Sequence, residues 1–187
     1  MIVDEIKKPK ILFVSLLANT DNVSLNMILS ILRHAEFKTD IVFHPTSEDS
    51  SHRLLAEFVR DGKYDIVGVS LMSINFIKAV SISKMIREIC DPKTIILWGG
   101  IHPTIAPKDC YPHADFICVG EVDGVIVDFG KAWDSGKIVG NVVGINPSGT
   151  ENPVGCIPVV ELDQLPFPEH LPEYSFITHE GAIRPMT

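Results

Sequence analysis

The sequence lacks the motifs that mark several large classes of enzyme and signalling protein. It contains no G-x-G-x-x-G after the first apolar run and no G-x-x-x-x-G-K-S/T, which excludes the usual dinucleotide and P-loop phosphate sites. The nucleophile elbow G-x-S-x-G of α/β-hydrolases is absent as well. Uncharged residues at Ser15–Ala18 end the first predicted strand, where a phospho-accepting receiver domain needs acidic side chains.

Positive charge and long apolar runs are also scarce. The chain has 16 Lys and Arg against 24 Asp and Glu, a net charge of −8, so a phosphate backbone is a poor partner. The apolar run Ile11–Ala18 follows the only basic cluster but precedes no cleavage pattern, so we interpret it as a strand rather than a signal peptide. No other run approaches membrane-spanning length. We therefore expect a cytoplasmic protein without a nucleic-acid or membrane partner.

Cysteine and histidine do not form recognisable metal sites. The four cysteines, Cys90, Cys110, Cys118 and Cys156, contain no C-x-x-C pair, and no H-x-x-x-H pair occurs. Cys118 lies inside an apolar run and Cys90 ends a helical pattern, which is typical of reduced packing residues. We predict no metal ligands and no catalytic residues in this chain.

Apolar runs alternate with helical patterns over residues 1–135. The runs are continuously apolar rather than alternating, which indicates a parallel sheet covered by helices on both faces. We predict an α/β, doubly wound, flavodoxin-like fold with a five-stranded parallel sheet of order 2-1-3-4-5. The predicted strands are residues 10–17, 39–43, 65–71, 94–98 and 114–119.

The pattern changes in residues 136–187. Residues 137–145 and 154–160 flank the turn Pro147-Ser-Gly-Thr150, which predicts a two-stranded hairpin. Residues 161–172 are punctuated by proline and are interpreted as a linker. Because residues 181–187 carry no helix or strand stop, we expect the chain to be cut from a longer protein.

Small residues follow three of the predicted strands. Ser70 and Ser73, Gly99 and Gly100, and Gly120 with Gly124 all fall at the carboxyl edge of the predicted sheet. Ligands of open parallel sheets bind at that edge, and glycine allows close approach of the backbone. The alternative is that each glycine only forms a tight turn.

Two polar residues at the same edge have more than one interpretation. His102 follows the double glycine and either faces a ligand, as a hydrogen-bond donor or metal ligand, or is a structural hydrogen-bonder in a proline-rich turn. Glu121 follows the fifth strand and either contacts ligand hydroxyls or caps the next helix.

Three segments together resemble a known family. Val69-Ser-Leu-Met-Ser73, Trp98-Gly-Gly-Ile-His-Pro-Thr104 and Ala114-Asp-Phe-Ile-Cys-Val-Gly-Glu121 resemble the N-terminal cobalamin-binding domain of cobalamin-dependent radical S-adenosylmethionine enzymes. Glu161-Leu-Asp-Gln-Leu-Pro-Phe-Pro168 resembles the linker that leads into their radical domain. The resemblance implies cobalamin as the cofactor, held by Ser70, Leu71, Ser73, Gly99, Gly100, His102, Pro103, Gly120 and Glu121.

Two departures from the family pattern limit the implied chemistry. The signature D-x-H-x-x-G is missing, since residues 17–22 read Leu-Ala-Asn-Thr-Asp-Asn, so no histidine stands where the lower ligand of cobalt would be. No C-x-x-x-C-x-x-C occurs, so the iron–sulfur cluster and S-adenosylmethionine would belong to a C-terminal radical domain of the parent chain. The resemblance implies methyl transfer or related radical chemistry in that parent and an inactive fragment.

Two alternatives remain open from the sequence. One is a cofactor-free scaffold or dimerisation module of the same family, which a cleft plugged by Met72, Phe76 or Trp98 would support, and for which a homodimer is the predicted assembly. The other is a flavodoxin-like domain for another nucleotide cofactor such as a flavin. The two cofactor hypotheses differ in the absorption spectrum of the bound ligand.

Overall fold

Strands and helices alternate along the first two thirds of the chain. This computed structural model describes residues 7–17, 22–159, 161–168 and 171–186. The strands in this part are β1 Lys10–Ser15, β2 Lys38–Phe43, β3 Ile66–Ser70, β4 Ile95–Gly99 and β5 Phe116–Cys118. The helices are α1 Val23–His34, α2 Asp49–Asp61, α3 Phe76–Ile89, α4 Ile101–Ile105, α5 Pro107–Cys110 and α6 Ile126–Lys131.

Local signals place the ends of the first two helices. The side chain of Asn22 accepts a hydrogen bond from the Leu25 backbone N–H at 3.1 Å and thereby caps α1. Gly62 is the C-terminal cap of α2 and stands where the sequence predicts that helix to stop. Among the described residues, no helix is long and apolar enough to cross a membrane.

The sheet is mainly parallel and larger than predicted. Five more strands follow α6: β6 Trp133–Asp134, β7 Lys137–Ile138, β8 Ile145–Pro147, β9 Ser175–His179 and β10 Ala182–Pro185. The eight-stranded sheet runs in the order β10-β9-β2-β1-β3-β4-β5-β8, with β1 to β5 parallel to one another. The predicted α/β class with a parallel sheet between helices is confirmed, but the predicted limit of five strands is wrong.

The predicted hairpin of residues 137–145 and 154–160 is also wrong. β7 pairs with β6, and β8 pairs antiparallel with β5. Residues 154–159, the described part of the second predicted strand, do not form a strand. The backbone of Val154 is hydrogen-bonded to the side chain of Asn146 and not to a neighbouring strand. The Asn146 amide accepts from the Val154 N–H at 2.8 Å and donates to the Val154 carbonyl at 2.9 Å.

The end of the chain joins the opposite edge of the sheet. After turns of 3-10 helix at Leu162–Gln164 and Pro172–Tyr174, β9 pairs in parallel with β2 and β10 returns along β9. Residues 182–185, where the sequence shows no strand signal, therefore form a strand. The ring of Tyr174 stacks on the Arg33 guanidinium at 3.3 Å, which ties this segment to the end of α1.

The two faces of the sheet carry separate apolar cores. Because successive strand residues point to opposite faces, Ile11 and Phe13 of β1 lie in the core beneath α1 and α6. Leu12 and Val14 lie in the core beneath α2 and α3. The position of a residue in its strand therefore decides in which of the two cores its side chain packs.

Candidate functional site

A cleft opens at the carboxyl ends of β3, β4 and β5, on the face covered by α1 and α6. Its volume is about 520 Å³, within the ~300–1,000 Å³ range of small-molecule sites. We call it the edge cleft. It is lined by Phe13, Ser24, Leu25, Ile28, Gly68, Val69, Ser70, Leu97, Gly99, Gly100, Ile101, Thr104, Ile105, Cys118, Gly120, Glu121, Val122, Asp123 and Ile126.

Alternate residues of β3 and β4 form the floor of this cleft, because successive strand residues point to opposite faces of the sheet. Gly68 and Ser70 of β3 and Leu97 and Gly99 of β4 alternate with residues that face the other core. A Cβ atom on Gly99 would lie 3.6 Å from the Cβ of Cys118, which is an ordinary contact. Glycine at 99 is therefore not required by packing, and its effect is to leave the space above β4 open.

Gly100 is required for a different reason. Its backbone has φ +105° and ψ −164°, a region that is essentially restricted to glycine. A Cβ atom would lie 2.7 Å from the carbonyl oxygen of Leu71. That carbonyl accepts from the His102 N–H at 3.4 Å, and the Leu71 N–H donates to Gly99 at 3.0 Å, so the loop after β3 holds the loop after β4 closely.

Thr104 connects two walls of the edge cleft. Its hydroxyl donates to the Gly100 carbonyl at 2.8 Å and accepts from the Gly120 N–H at 3.0 Å. Gly120 has φ +90°, which favours glycine at the exit of β5. One side chain thus fixes the spacing of the glycine turns after β4 and β5.

Two acidic side chains, Glu121 and Asp123, line the edge cleft. Glu121 is exposed, and Asp123 is half-buried. Burial, and then the neighbouring charge of Glu121, raises the pKa of Asp123. Glu121 does not cap the next helix, since the N-cap of α6 is Val125 and no side chain bonds there. The structure therefore leaves both carboxylates available to accept hydrogen bonds from a ligand.

The predicted site residues divide between two places. Ser70, Gly99, Gly100, Gly120 and Glu121 line the edge cleft. The others do not line it: Leu71 and Ser73 follow β3, and His102 and Pro103 lie in α4.

His102 is buried beside the cleft and makes contacts within the protein. It is 9% exposed, and its Nδ1 and the Ser73 hydroxyl share a hydrogen bond of 3.0 Å. Its ring lies 4.7 Å from the ring of Phe76, centroid to centroid. These contacts tie α4 to the turn after β3 and match the structural interpretation of this histidine.

Several cleft residues were not predicted from the sequence. Phe13, Leu25, Ile28 and Ile126 form its apolar interior but read as ordinary core residues. One signal was present in β3, where Gly68 interrupts an apolar strand. Gly68 lies beside Phe13 in the register, and a Cβ atom on it would come within 2.5 Å of that ring.

No metal-binding cluster accompanies the edge cleft. Within the described ranges, no three His, Cys, Asp or Glu side chains converge closely enough to hold a metal ion. None of the described residues that line the cleft is a histidine.

The sequence matches the family model described as the B12 binding domain over residues 9–129. The match includes β1 to β5 and covers well over half of the chain. This chain belongs to the B12-binding domain family. The resemblance drawn from the sequence and the expected cofactor, cobalamin, are confirmed at the level of the family.

A curated methyltransferase is similar to this B12-binding domain over a short region. Bacteriochlorophyllide d C-8(2)-methyltransferase from Chlorobaculum tepidum is 38% identical over 65 residues. The alignment covers 35% of this chain and 14% of that relative. The aligned region thus corresponds to a small part of the methyltransferase.

Two solved structures share the fold of this B12-binding domain. Both are the radical S-adenosylmethionine methyltransferase TsrM from Kitasatospora setae, one with tryptophan substrate and aza-SAM and one with cobalamin and a 4Fe-4S cluster. The first has a TM-score of 0.67 at 15% identity and covers 79% of this chain and 30% of TsrM. The second has a TM-score of 0.63 at 12% identity and covers 83% and 30%. The chain therefore spans less than a third of the length of these relatives.

Proposed function

We propose that this chain binds cobalamin in the edge cleft and presents it to a radical S-adenosylmethionine domain of the parent protein. The observation that carries the proposal is an open, apolar cleft on the α1 and α6 face of a B12-binding fold, with glycines at its rim. Bound cobalamin supplies a cobalt centre that can carry a methyl group. The residues of this chain bind and orient the cofactor.

The interior and the mouth of the cleft suit different parts of such a cofactor. Phe13, Leu25 and Ile28 offer an apolar interior that fits a flat aromatic group. The hydroxyl of Ser70 and the carboxylates of Glu121 and Asp123 lie along the lining and accept hydrogen bonds from amide and hydroxyl groups. Carboxylates disfavour a second anion, so we expect the amide side chains and ribose, rather than the phosphate, at this wall.

The glycines leave the rim of the cleft without side chains. Gly99 carries no side chain at a position where packing would admit one, and Gly100 and Gly120 turn the backbone sharply after β4 and β5. A ligand can therefore approach the backbone of all three closely. Among the described residues no histidine lines the cleft, which supports a cofactor without a protein histidine on cobalt.

An exposed apolar rim lies at the carboxyl edge of the sheet, and two of its four isoleucines, Ile101 and Ile105, also line the edge cleft. Ile74 and Ile77 are 85% and 74% exposed, and Ile101 and Ile105 of α4 are 59% and 68% exposed. The hydrogen bond between Ser73 and His102 joins the segment that leads into α3 to α4. Clustered exposed isoleucines mark a binding surface. We assign this rim to the broad face of the cofactor and to the domain that closes over it.

The cofactor-free alternative receives no support from the cleft. Met72, Phe76 and Trp98, the side chains that would plug it, do not line it. Trp98 is fully buried on the opposite face, where its indole N–H donates to Ser83 at 3.0 Å.

The activity of the parent protein and the division of the chain are part of the proposal. Methyl transfer is favoured because both kinds of relative are methyltransferases. We place the cofactor-binding domain at residues 1–135 and the connection to the radical domain at residues 136–187, which also add β8, β9 and β10 to the sheet of the first domain. The family match, which ends at residue 129, supports a boundary there.

The proposal is tested by incubating the purified chain with hydroxocobalamin and, in parallel, with flavin mononucleotide, followed by gel filtration with absorbance detection. We expect the corrinoid to co-elute, with a spectrum in which its own base is displaced from cobalt, and the flavin to elute separately. Co-elution of flavin alone would replace cobalamin with a nucleotide cofactor. If neither ligand is retained by this chain or by a longer one that includes the following domain, the scaffold hypothesis takes the place of the proposal.

A further inference from the structure

Two of the four cysteines lie side by side, and one of them, Cys118, lines the edge cleft. Cys118 is in β5 and is 3% exposed, whereas Cys156 is half-buried in residues 153–159, which we call the strap. Their Sγ atoms are 3.7 Å apart although 38 residues separate them in the chain. The Cys118 thiol also donates to the Gly120 carbonyl at 3.7 Å, and the thiols of Cys90 and Cys110 donate only to backbone carbonyls, those of Ala56 and Ala106.

The backbone on both sides of Cys156 is fixed so that its sulfur faces β5. The Cys156 N–H donates to the Val119 carbonyl at 2.7 Å, and Asn146 bonds both backbone groups of Val154. Gly144 makes room for the sulfur, since a Cβ atom there would lie 2.2 Å from Cys156 Sγ. The proximity of the two thiols therefore follows from several independent contacts.

The two thiols differ in access and in acidity. Cys118 is buried, and the pKa of its thiol is raised by its hydrogen bond to Cys156 and by burial. The same hydrogen bond lowers the pKa of Cys156, which is also the more exposed of the two. Since the thiolate is the reactive form, Cys156 is the residue that attacks an external disulfide.

We propose that Cys118 and Cys156 form a reversible disulfide by exchange with a low-molecular-weight disulfide. In the first step the Cys156 thiolate attacks one sulfur of that disulfide, its S–S bond breaks, and one small thiolate leaves. The Cys118 sulfur then attacks Cys156 Sγ, gives up its proton and releases the second small thiol. Two protein thiols are thus oxidised and one small disulfide is reduced to two thiols.

The two sulfur atoms need to move only a short distance to form a bond. A disulfide bond is about 2.05 Å long, so the sulfurs approach by less than about 2 Å, which is within reach of side-chain rotation and a small shift of the strap. A direct bond would fasten the strap to β5. The strap touches the loop after β5, since a Cβ atom on Gly124 would lie 3.1 Å from Val159, so oxidation also fixes one wall of the edge cleft.

The test is incubation of the native chain with oxidised glutathione, followed by acid quenching, alkylation and mass spectrometry. We expect the wild-type chain to lose two alkylatable thiols without retaining glutathione, and dithiothreitol to restore both. Cys118→Ala should stop at one glutathione adduct on Cys156, whereas Cys156→Ala should react at least about tenfold more slowly. Cys90→Ala and Cys110→Ala are matched controls and should oxidise like the wild type.

Peptide mapping of the wild-type chain keeps the test independent of how the variants fold. A bond between Cys118 and Cys156 supports the proposal, and slower hydrogen exchange of the strap after oxidation supports the fastening of the strap to β5. A stable glutathione adduct on the wild type, or a bond to Cys90, Cys110 or a second chain, overturns the proposal. The measurement uses no cobalamin, so its result and the result of the cofactor test are separate.

Discussion

A single methyl group at Gly100 is expected to destabilise the fold strongly, whereas the same change at Gly99 is not. Gly100 has φ +105° and ψ −164°, and a non-glycine residue there costs about 1–3 kcal/mol in backbone strain alone. Its new Cβ atom would also lie 2.7 Å from the Leu71 carbonyl, which hydrogen bonds hold in place. We therefore expect Gly100→Ala to lower the free energy of unfolding by about 3 kcal/mol or more.

The assay is thermal unfolding of the wild type, Gly99→Ala and Gly100→Ala, followed by circular dichroism. For a chain of this size about 1 kcal/mol shifts Tm by about 2–4 °C, so Gly100→Ala should lower Tm by about 6–12 °C. Gly99→Ala should stay within about 0.5 kcal/mol of the wild type, since its Cβ atom makes only an ordinary contact. A Gly100→Ala Tm within about 2 °C of the wild type would contradict the backbone strain and the clash with Leu71 inferred at Gly100.

Three further predictions concern buried polar groups. Trp98→Phe removes the hydrogen bond from the indole N–H to Ser83, and urea unfolding should show a loss of about 1–3 kcal/mol. Thr178→Val removes the hydroxyl that bonds to buried His44 at 2.9 Å, and we expect a similar loss together with faster hydrogen exchange in β9. Burial, and then Lys78 and His52, lower the pKa of His44 from 6.5 to about 3, so the unfolded chain binds the proton more tightly. Stability should therefore fall as pH is lowered from 6.5 towards 3, by up to about 1.4 kcal/mol per pH unit for this group, and His44→Gln should reduce that slope in urea titrations.

The alternating part of the fold could be predicted because its signals are local. The apolar runs of β1 and β4 and the stop at Gly62 depend on neighbouring residues alone. The outer strands could not be predicted in the same way. β8 and β9 are placed by pairing with strands distant in sequence, and the side chain of Asn146 takes the place of a strand for Val154.

The sequence predicts that the site lies at the carboxyl edge of the sheet. It does not predict which face of the sheet the cleft opens on. Ser70 and Leu71 are adjacent, yet the strand period turns only Ser70 into the cleft and buries Leu71 on the other side. His102 lies in α4, beyond the end of β4, where its ring contacts Phe76 and Ser73 rather than the cleft. Phe13 and Ile28 could not be identified as cleft residues, because residues of an apolar ligand pocket and of a core look alike in sequence.

The most direct test of the account is the affinity of hydroxocobalamin for the wild type, Gly99→Val and Gly155→Val, measured by equilibrium dialysis alongside thermal unfolding. Gly155 is exposed and does not line the edge cleft, and a Cβ atom there meets only ordinary contacts, so it is the matched control. We predict that the wild type and Gly155→Val bind alike and that Gly99→Val binds at least about tenfold more weakly with an unchanged Tm. Equal affinity of all three, or no corrinoid bound by the wild type, would contradict the assignment of cobalamin to this cleft.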